Sequence, residues 1–383
     1  MIAYKEIAQI KNVKGLNPVT GDYSYEENGR GYLYIDGVLL EKEEAASKIV
    51  SVGEYTYVRY NRYGALEVYS GHTLLKVFER DIRLLDGDVG AYVGYRIYTP
   101  KTLDASENIL SISDGQPLLL HNVPYWLYKV GEEIIGYKIL ECKLSRLNYS
   151  GEVLWTFDLP LRPRSGEPDN LDKVLGIAQG LLWICTRWYR LIALDLETGK
   201  PVHQFSGGWF DEDHSNYIVL DSLGWCFFRE AEKTIVLISN FGVQILDATT
   251  AKIIEGYSFS EVDPQGIGAF EYFDAARLYG DCLTFIAQRH REAHGYRCAG
   301  IFDLKARQFS WIGDIISLEE KMSTGNHLIA QFPLQMEGNR LYIKDAENTL
   351  HIYQKEWRLK AQVRPQSEAT ASATCATVPT AGR

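Results

Sequence analysis

Short apolar segments separated by polar turns cover most of the chain, and one hairpin pattern recurs. Its clearest copy is residues 191–205 (LIALDLETGKPVHQF), in which two apolar segments flank a turn at residues 197–200 (ETGK). Gly199 can supply the positive φ angle that a tight hairpin turn needs. Related patterns place further turns near positions 71, 115, 151, 251, 306 and 355, with a mean spacing of about 47 residues.

A repeat of about 40–50 residues with several short strands is typical of a β-propeller. We therefore predict an all-β fold, a single β-propeller of seven four-stranded blades, with six or eight blades as alternatives. In one blade, the strands are expected at residues 174–177, 180–185, 191–194 and 201–205. Residues 31–40 (GYLYIDGVLL) form another hairpin pattern, which is either half of the first blade or an eighth unit.

Two further predictions concern the ends of the chain. Residues 3–10 should pair with the strand that ends near Trp357, because a propeller ring closed by terminal strands has no free sheet edge there. The propeller domain is expected to cover residues 1–361. Residues 362–383 (QVRPQSEATASATCATVPTAGR) have no hydrophobic period and are predicted to be a disordered tail. Short helical turns are expected at residues 41–48 (EKEEAASK) and 317–322.

The acidic charge balance narrows the partner classes. The chain has 40 Lys and Arg against 50 Asp and Glu, a formal net charge of −10. Nucleic acids and anionic membranes are therefore not expected as partners, because they require a basic surface. A basic protein partner fits this charge, and the alternative is that the charge only keeps the protein soluble.

Cysteine use and the first residues predict a cytoplasmic location. The six cysteines are scattered singly, with no metal-binding spacing, and the first residues lack the pattern of a secretory leader. Cys282 and Cys298 flank a predicted hairpin and could lie close together, and we expect both to be reduced thiols.

Two segments resemble a known repeat. Residues 191–200 (LIALDLETGK) are similar to the L-x-A-L-D-x-x-T-G-K repeat of PQQ-like, quinoprotein-type propellers, and residues 151–155 (GEVLW) to their G-x-x-x-W element. The resemblance implies a fold of the PQQ-like and WD-like β-propeller superfamily and implies no function. A quinone is not expected, because the chain lacks the vicinal cysteine pair of many quinoprotein enzymes, and we predict no cofactor.

Candidate partner-binding residues fall in three polar segments. A glycine pair precedes an aromatic and acidic run, and this combination has the composition of an interface anchor with a charged rim. The alternative for the acids is a solvated loop, and a calcium site is less expected because the acids do not alternate. The second segment contains Trp188 and Tyr189 next to arginine residues. The third contains Arg162 and Arg164 and is rich in turn residues. The predicted residues are Trp209, Phe210, Asp211, Glu212, Asp213, His214, Trp188, Tyr189, Arg162 and Arg164.

No catalytic motif is recognisable. His290 and His294 are four residues apart, but the order of a zinc hydrolase motif is broken, so no metal site is predicted. The sequence favours a non-catalytic binding module that presents its loops to a protein, and an acidic inhibitor or immunity-type protein that masks a basic partner is a narrower hypothesis. The alternative is a carbohydrate hydrolase or lyase with paired carboxylates at the mouth of the channel.

Overall fold

The computed structural model describes residues 2–17, 19–60, 65–78, 92–98, 105–111, 125–162, 165–188, 190–207, 217–218, 225–289, 295–317, 319, 334–335 and 339–357. Over these residues the chain is built almost entirely of strands. The first fifteen are β1 Ile2–Ile10, β2 Val13–Leu16, β3 Tyr23–Glu27, β4 Arg30–Ile35, β5 Val38–Lys42, β6 Ala46–Val52, β7 Tyr55–Tyr60, β8 Leu66–Ser70, β9 Thr73–Phe78, β10 Tyr92–Tyr98, β11 Ala105–Ser111, β12 Trp126–Val130, β13 Glu133–Lys138, β14 Lys143–Leu147 and β15 Val153–Asp158.

The second half of the chain continues the same pattern and adds two single-turn helices, α1 and α2. Its elements are β16 Leu171–Ala178, β17 Leu181–Thr186, β18 Arg190–Asp195, β19 Pro201–Gly207, β20 Tyr217–Ile218, β21 Trp225–Arg229, β22 Thr234–Ile238, β23 Gly242–Asp247, β24 Lys252–Ser258, α1 Phe259–Val262, α2 Pro264–Ile267, β25 Phe270–Tyr279, β26 Cys282–Arg289, β27 Cys298–Asp303, β28 Gln308–Asp314, β29 Leu334–Gln335, β30 Arg340–Lys344 and β31 Leu350–Trp357. No helix among the described residues is long and apolar enough to cross a membrane.

The strands form a series of sheets, which we number in chain order. Sheet 1 is β2–β5, sheet 2 β6–β9, sheet 3 β10–β11, sheet 4 β12–β15, sheet 5 β16–β20, sheet 6 β21–β24, sheet 7 β25–β28, and sheet 8 β29–β31 with β1. Seven of them contain four antiparallel strands, which are consecutive in the chain in all but sheet 8, and sheet 5 also has the short parallel strand β20. This confirms the predicted propeller with seven four-stranded blades. Sheet 3 has two described strands, and the residues that flank it lie outside the described part of the chain.

Two of the sequence predictions are confirmed in detail. Strands β16 to β19 of sheet 5 match the four strands predicted for one blade. In sheet 8, β1 pairs with β31 from Ile2 opposite Trp357 to Ile10 opposite Leu350, so the ring is closed by the terminal strands as expected. Residues 31–40 belong to a complete sheet of their own, sheet 1.

Two other predictions are wrong. Position 355 is not a turn, because β31 is continuous from Leu350 to Trp357 and its outer partner comes from β1 rather than from the following residues. Residues 41–48 are not helical, although their composition favours a helix. They contain the end of β5 and the start of β6, where the buried Ala46 N–H donates to Ser24 Oγ at 2.8 Å, so tertiary contacts override local propensity. The disordered-tail prediction and residues 320–322 fall outside the described residues.

The core lies between neighbouring sheets. Between sheets 5 and 6, for example, Trp183 and Leu191 pack with Ile235 and Leu246, and all four are fully buried. Similar apolar layers join sheets 4 and 5, sheets 6 and 7, sheets 7 and 8, and sheets 8 and 1. Each repeat therefore adds its own layer of core, as a repeat architecture requires.

Antiparallel order places the connections at two opposite ends. The turns that join first to second and third to fourth strands lie at one end, which we call the turn end. The connections from second to third strands, and from one sheet to the next, lie at the other, the loop end. Residues 139–142, 159–162 and 239–241 are examples at the loop end, and residues 179–180 and 230–233 at the turn end.

Candidate functional site

A cavity of about 1080 Å³ opens between the first strands of sheets 4, 5, 6 and 7. Its walls come mainly from β12, β16 and β21, with the last residues of β25 and the turn that follows it. Since these are the first strands of consecutive sheets, the cavity belongs to the central channel of the ring. Its volume lies at the upper end of the range for ligand pockets.

Strand β16 shapes one wall through two irregularities. Its pairing with β17 shifts between Leu171 and Lys173, and again between Val174 and Gly176. The extra residues are Asp172 and Leu175, and both line the cavity. Such bulges re-aim side chains and occur frequently beside functional sites.

The loop end of the cavity combines an acid with two bases. Asp172 is accessible from the cavity, but the surrounding protein removes part of its hydration and raises its pKa, while the positive charges of Lys173 and Arg187 act in the opposite direction. The ammonium group of Lys173 lies 5.5 Å from the centre of the Phe227 ring. This end therefore offers both signs of charge next to aromatic surface.

A tyrosine holds the start of β16 in place at this end. The Tyr137 hydroxyl donates to Asn170 Oδ1 at 3.1 Å and accepts from the Leu171 N–H at 3.2 Å. Burial raises the pKa of Tyr137 to about 12, although the bond from Leu171 favours its ionised form. Tyr137 is therefore a neutral hydrogen-bonding group that holds Asn170 at the cavity wall.

The turn end of the cavity is richer in carboxylates. Arg229 donates to Asp281 Oδ1 at 3.1 Å and to the Gly280 carbonyl at 3.0 Å, which links sheet 6 to sheet 7. Glu230 forms an ion pair with Lys233 of the same turn. Glu232 also lines the cavity and has no ion pair with a described residue.

Comparison with known proteins identifies the fold. No family model matches the chain, and no curated protein matches it. Among solved structures it is similar to the C-terminal WD40 domain of Sif2, at 13% identity and a TM-score of 0.56 over 92% of this chain and 98% of that one. It is also similar to Saccharomyces cerevisiae Sqt1, at 9% identity and a TM-score of 0.53 over 92% and 98% of the two chains. BamB from Moraxella catarrhalis aligns at 12% identity with a TM-score of 0.46, over 92% of this chain and 100% of that one.

The chain has a β-propeller fold. At these identities the likeness is one of fold alone and assigns no ligand or partner.

The structure brings two of the predicted propeller-loop residues together. The Arg162 guanidinium lies 5.7 Å from the centre of the Trp188 ring and forms an ion pair with Glu167 at 3.1 Å. Trp188 is in the connection between β17 and β18, and Arg162 is in the connection between β15 and β16, so the two segments are neighbours at the loop end. Arg164, Tyr189 and the run from Trp209 to His214 lie outside the described residues, as do His290 and His294.

The cysteine expectation needs a correction. Cys282 is opposite Asp303 and Cys298 is opposite Ala287 in the pairing of β26 with β27. The two cysteines therefore stand at opposite ends of that pair, about five residues or roughly 17 Å apart along the strand. The close thiols are instead Cys185 and Cys226, which lie 3.8 Å apart and buried between sheets 5 and 6. They come from different repeats, and only the ring places them together.

The cavity residues were not among the predicted site residues. Asp172 and Lys173 stand at the start of an apolar strand, where a polar pair is indistinguishable from an ordinary strand end. Strand β16 has eight residues opposite the six of β17, but these lengths and the bulges between the strands are seen only in the structure. Among the described residues, no group of three or more potential ligands forms a metal site.

Proposed function

We propose that this propeller is a non-catalytic binding module whose protein partner docks on the loop end of sheets 4, 5 and 6. The observation that carries the proposal is the exposure of large apolar side chains on consecutive connections at that end. Leu140 is 96% exposed, Phe241 77% and Leu161 58%. A single exposed apolar residue is ordinary, but several on adjoining loops around a cavity are typical of an interaction surface.

The Arg162–Trp188 pair supports the same surface. Trp188 is in the connection between the second and third strands of sheet 5, and Arg162 in the connection that precedes this sheet. Tryptophan and arginine are the residues most enriched at the energetic centres of protein interfaces. The ring held by a guanidinium group would present a fixed apolar plate to the partner.

The cavity favours binding over glycoside hydrolysis. A hydrolase of that kind needs two carboxyl groups about 5–10 Å apart, one of them protonated. In the described lining, Asp281 forms an ion pair with Arg229 and Glu230 with Lys233, so both carboxylates are already engaged by a cation. Asp172 and Glu232 belong to opposite ends of the cavity. The alternative of a carbohydrate enzyme would gain support only if Asp172→Asn removed a measured hydrolytic or lyase activity.

We further propose that the partner is basic overall and that the protein masks it in the cytoplasm, as an inhibitor or immunity-type protein would. The net charge of −10 supports this, and the acidic run of residues 211–213 is the expected rim. Exposed charges mainly change the association rate. The double substitution Asp211→Lys with Asp213→Lys should therefore slow association at low salt and leave the dissociation rate nearly unchanged.

The docking surface is tested by affinity capture from the native host, followed by identification of the partner and measurement with purified components. The double variant Leu140→Ser with Phe241→Ser should weaken binding by about tenfold or more, because it removes apolar contact area. The matched control is Leu75→Ser with Ile254→Ser, which changes two exposed apolar residues, 51% and 59% exposed, on outer strands. Loss of binding in the control and not in the test variant would place the partner on the outer strands and refute the loop-end surface.

A further inference from the structure

Two charged groups of opposite sign, Arg187 and Glu232, lie at the two ends of the cavity lining. Arg187 lies at the loop end, where its backbone N–H donates to the Asn170 carbonyl at 2.9 Å, and no described carboxylate forms an ion pair with its guanidinium group. Glu232 lies in the turn between β21 and β22, at the turn end, and likewise lacks an ion pair with any residue in the described ranges.

The other charges of the lining largely cancel in place. At the loop end, the lining carries the acid Asp172 and the bases Lys173 and Arg187, so one acid stands beside two bases. At the turn end, Arg229 offsets Asp281 and Lys233 offsets Glu230, which leaves the negative charge of Glu232. The described wall of the cavity is therefore electrically polar along the axis of β16.

We propose that the cavity holds an extended segment of the partner that places an acidic side chain beside Arg187 and a basic side chain beside Glu232. This rests on the proposed function, because it takes the ligand to be part of a protein that docks on the loop end. The charge complementarity of the two ends selects this occupant over a purely apolar segment and over a segment of uniform charge.

The length of the wall sets the spacing of the two charges in the segment. Strand β16 has eight residues. Its two bulges leave it opposite the six residues of β17, from Thr186 to Leu181. At about 3.3 Å for each step, the wall therefore spans about 17 Å from the loop end to the turn end, and an extended segment in the cavity would carry its acidic and basic residues about five positions apart. Between them, Leu175, Phe227 and Phe228 offer apolar surface for uncharged side chains.

The concave wall makes this charge pattern effective. Charges inside a cleft with apolar walls act through a lower effective dielectric constant than charges on an open surface. A segment that carries both signs in the complementary order is attracted electrostatically at both ends of the cavity. A segment of one sign is attracted at one end and repelled at the other. The cavity would therefore discriminate between partner segments by the order of their charges.

The test uses fluorescein-labelled peptides of about eight residues, with two charged positions separated by about four small or apolar residues. One peptide carries Lys and Asp, one carries two Lys and one carries two Asp. Binding to the full-length protein is measured by fluorescence anisotropy at low salt. The wild type should prefer the mixed peptide by about tenfold. The variant Arg187→Glu should prefer the peptide with two Lys, and Glu232→Lys the peptide with two Asp.

Matched controls are Lys252→Glu and Glu347→Lys, which reverse exposed charges outside the cavity lining and should keep the preference of the wild type. Equal binding of all three peptides, or the same preference in wild type and both cavity variants, would overturn the proposal. If the cavity variants also bind the purified partner normally while Leu140→Ser with Phe241→Ser does not, the proposed function stands and only the cavity segment is refuted.

Discussion

Gly199 satisfies two constraints in the turn between β18 and β19. Its φ angle is +68°, a conformation that costs other residues about 1–2 kcal/mol. A Cβ atom at this position would lie 2.6 Å from the ring of Trp155, which belongs to the neighbouring sheet 4. The turn glycine found in the sequence pattern is therefore also a contact between two sheets, and this second role was invisible in the sequence.

The substitution Gly199→Ala should destabilise the protein more than an ordinary turn substitution does. The matched control is Gly180→Ala, because Gly180 has a similar φ of +75° and no atom within 4 Å of its hypothetical Cβ. We expect a loss of about 1 kcal/mol in the control and at least about 1 kcal/mol more in Gly199→Ala. Urea denaturation measures both, and equal losses would show that the Trp155 contact is unimportant.

His351 joins three parts of the closing sheet. Its Nδ1 lies 2.7 Å from Glu6 of β1, and its Nε2 lies 3.2 Å from the buried Asp345. Burial by itself would lower the pKa of His351, but the hydrogen bonds and the negative charges of Asp345 and Glu6 outweigh it and raise the pKa. The charged imidazolium is therefore the form that the folded closure stabilises.

Stability should depend on pH through this histidine. Because the folded pKa is raised above the unfolded value of about 6.5, the stabilising contribution is complete below that value and is lost as the pH rises through the folded pKa. The free energy of unfolding of wild type relative to His351→Gln should thus decrease between about pH 6 and pH 9. His203→Gln is the control, and a difference that stays constant or grows over this range would contradict the assignment.

At the scale of elements, a similar hydrogen bond links sheet 4 to sheet 5, sheet 5 to sheet 6 and sheet 6 to sheet 7. Trp155 Nε1 donates to the Leu196 carbonyl at 2.7 Å, Trp183 Nε1 to the Ala248 carbonyl at 2.9 Å, and the Tyr257 hydroxyl to the Leu304 carbonyl at 3.5 Å. Each acceptor follows the aspartate that ends a third strand, Asp195, Asp247 or Asp303. The same turn therefore closes a hairpin and receives the aromatic side chain of the preceding sheet.

Trp183→Phe isolates the contribution of one such bond. The ring remains in the core, but the buried Ala248 carbonyl loses its donor, so we expect a loss of about 1–3 kcal/mol in the free energy of unfolding. Trp311→Phe is the control, because its indole N–H makes no hydrogen bond with a described residue and its ring contacts are with Tyr4 and Tyr353. A loss in the control as large as in Trp183→Phe would show that ring packing dominates.

Hairpins were predictable from the sequence where residues of the turn itself make the hydrogen bonds that stabilise it. Asp195 accepts from the backbone and side chain of Thr198, so the D-x-x-T-G pattern determines the hairpin by itself. The bulges of β16 were not predictable, because they depend on how neighbouring sheets meet around the channel. Asp172 was therefore not predicted, whereas Trp188 and Arg162 were predicted from the composition of their segments and remain predictions.

At the scale of the whole molecule, β1 completes a sheet whose other strands come from the far end of the chain. Its removal would expose the edge of β31 and leave His351 without Glu6. The closure by terminal strands was predictable because a closed ring leaves no unpaired sheet edge at that point. The turn predicted at position 355 was wrong because the sequence pattern does not distinguish a final strand from a degenerate hairpin.

Deletion of residues 1–11 should lower the urea midpoint and broaden the transition. A synthetic peptide of that sequence, added in excess, should restore much of the stability, because it binds only the folded chain. The control is truncation after residue 361, which the sequence predicts to be without effect on the free energy of unfolding. A deletion variant that unfolds like the full chain would show that the closing strand is dispensable.

The pairing of Ile2 with Trp357 also bears on how the order of the chain relates to the shape of the ring. Adjacent antiparallel strands lie about 5 Å apart, so a few added residues would join these two positions covalently. The chain could then be opened by circular permutation at the connection between β5 and β6, residues 43–45, and sheet 1 would become the last sheet of the new chain. The positions of the two chain ends are therefore not determined by the closed ring of sheets, and any sheet could come first in the sequence.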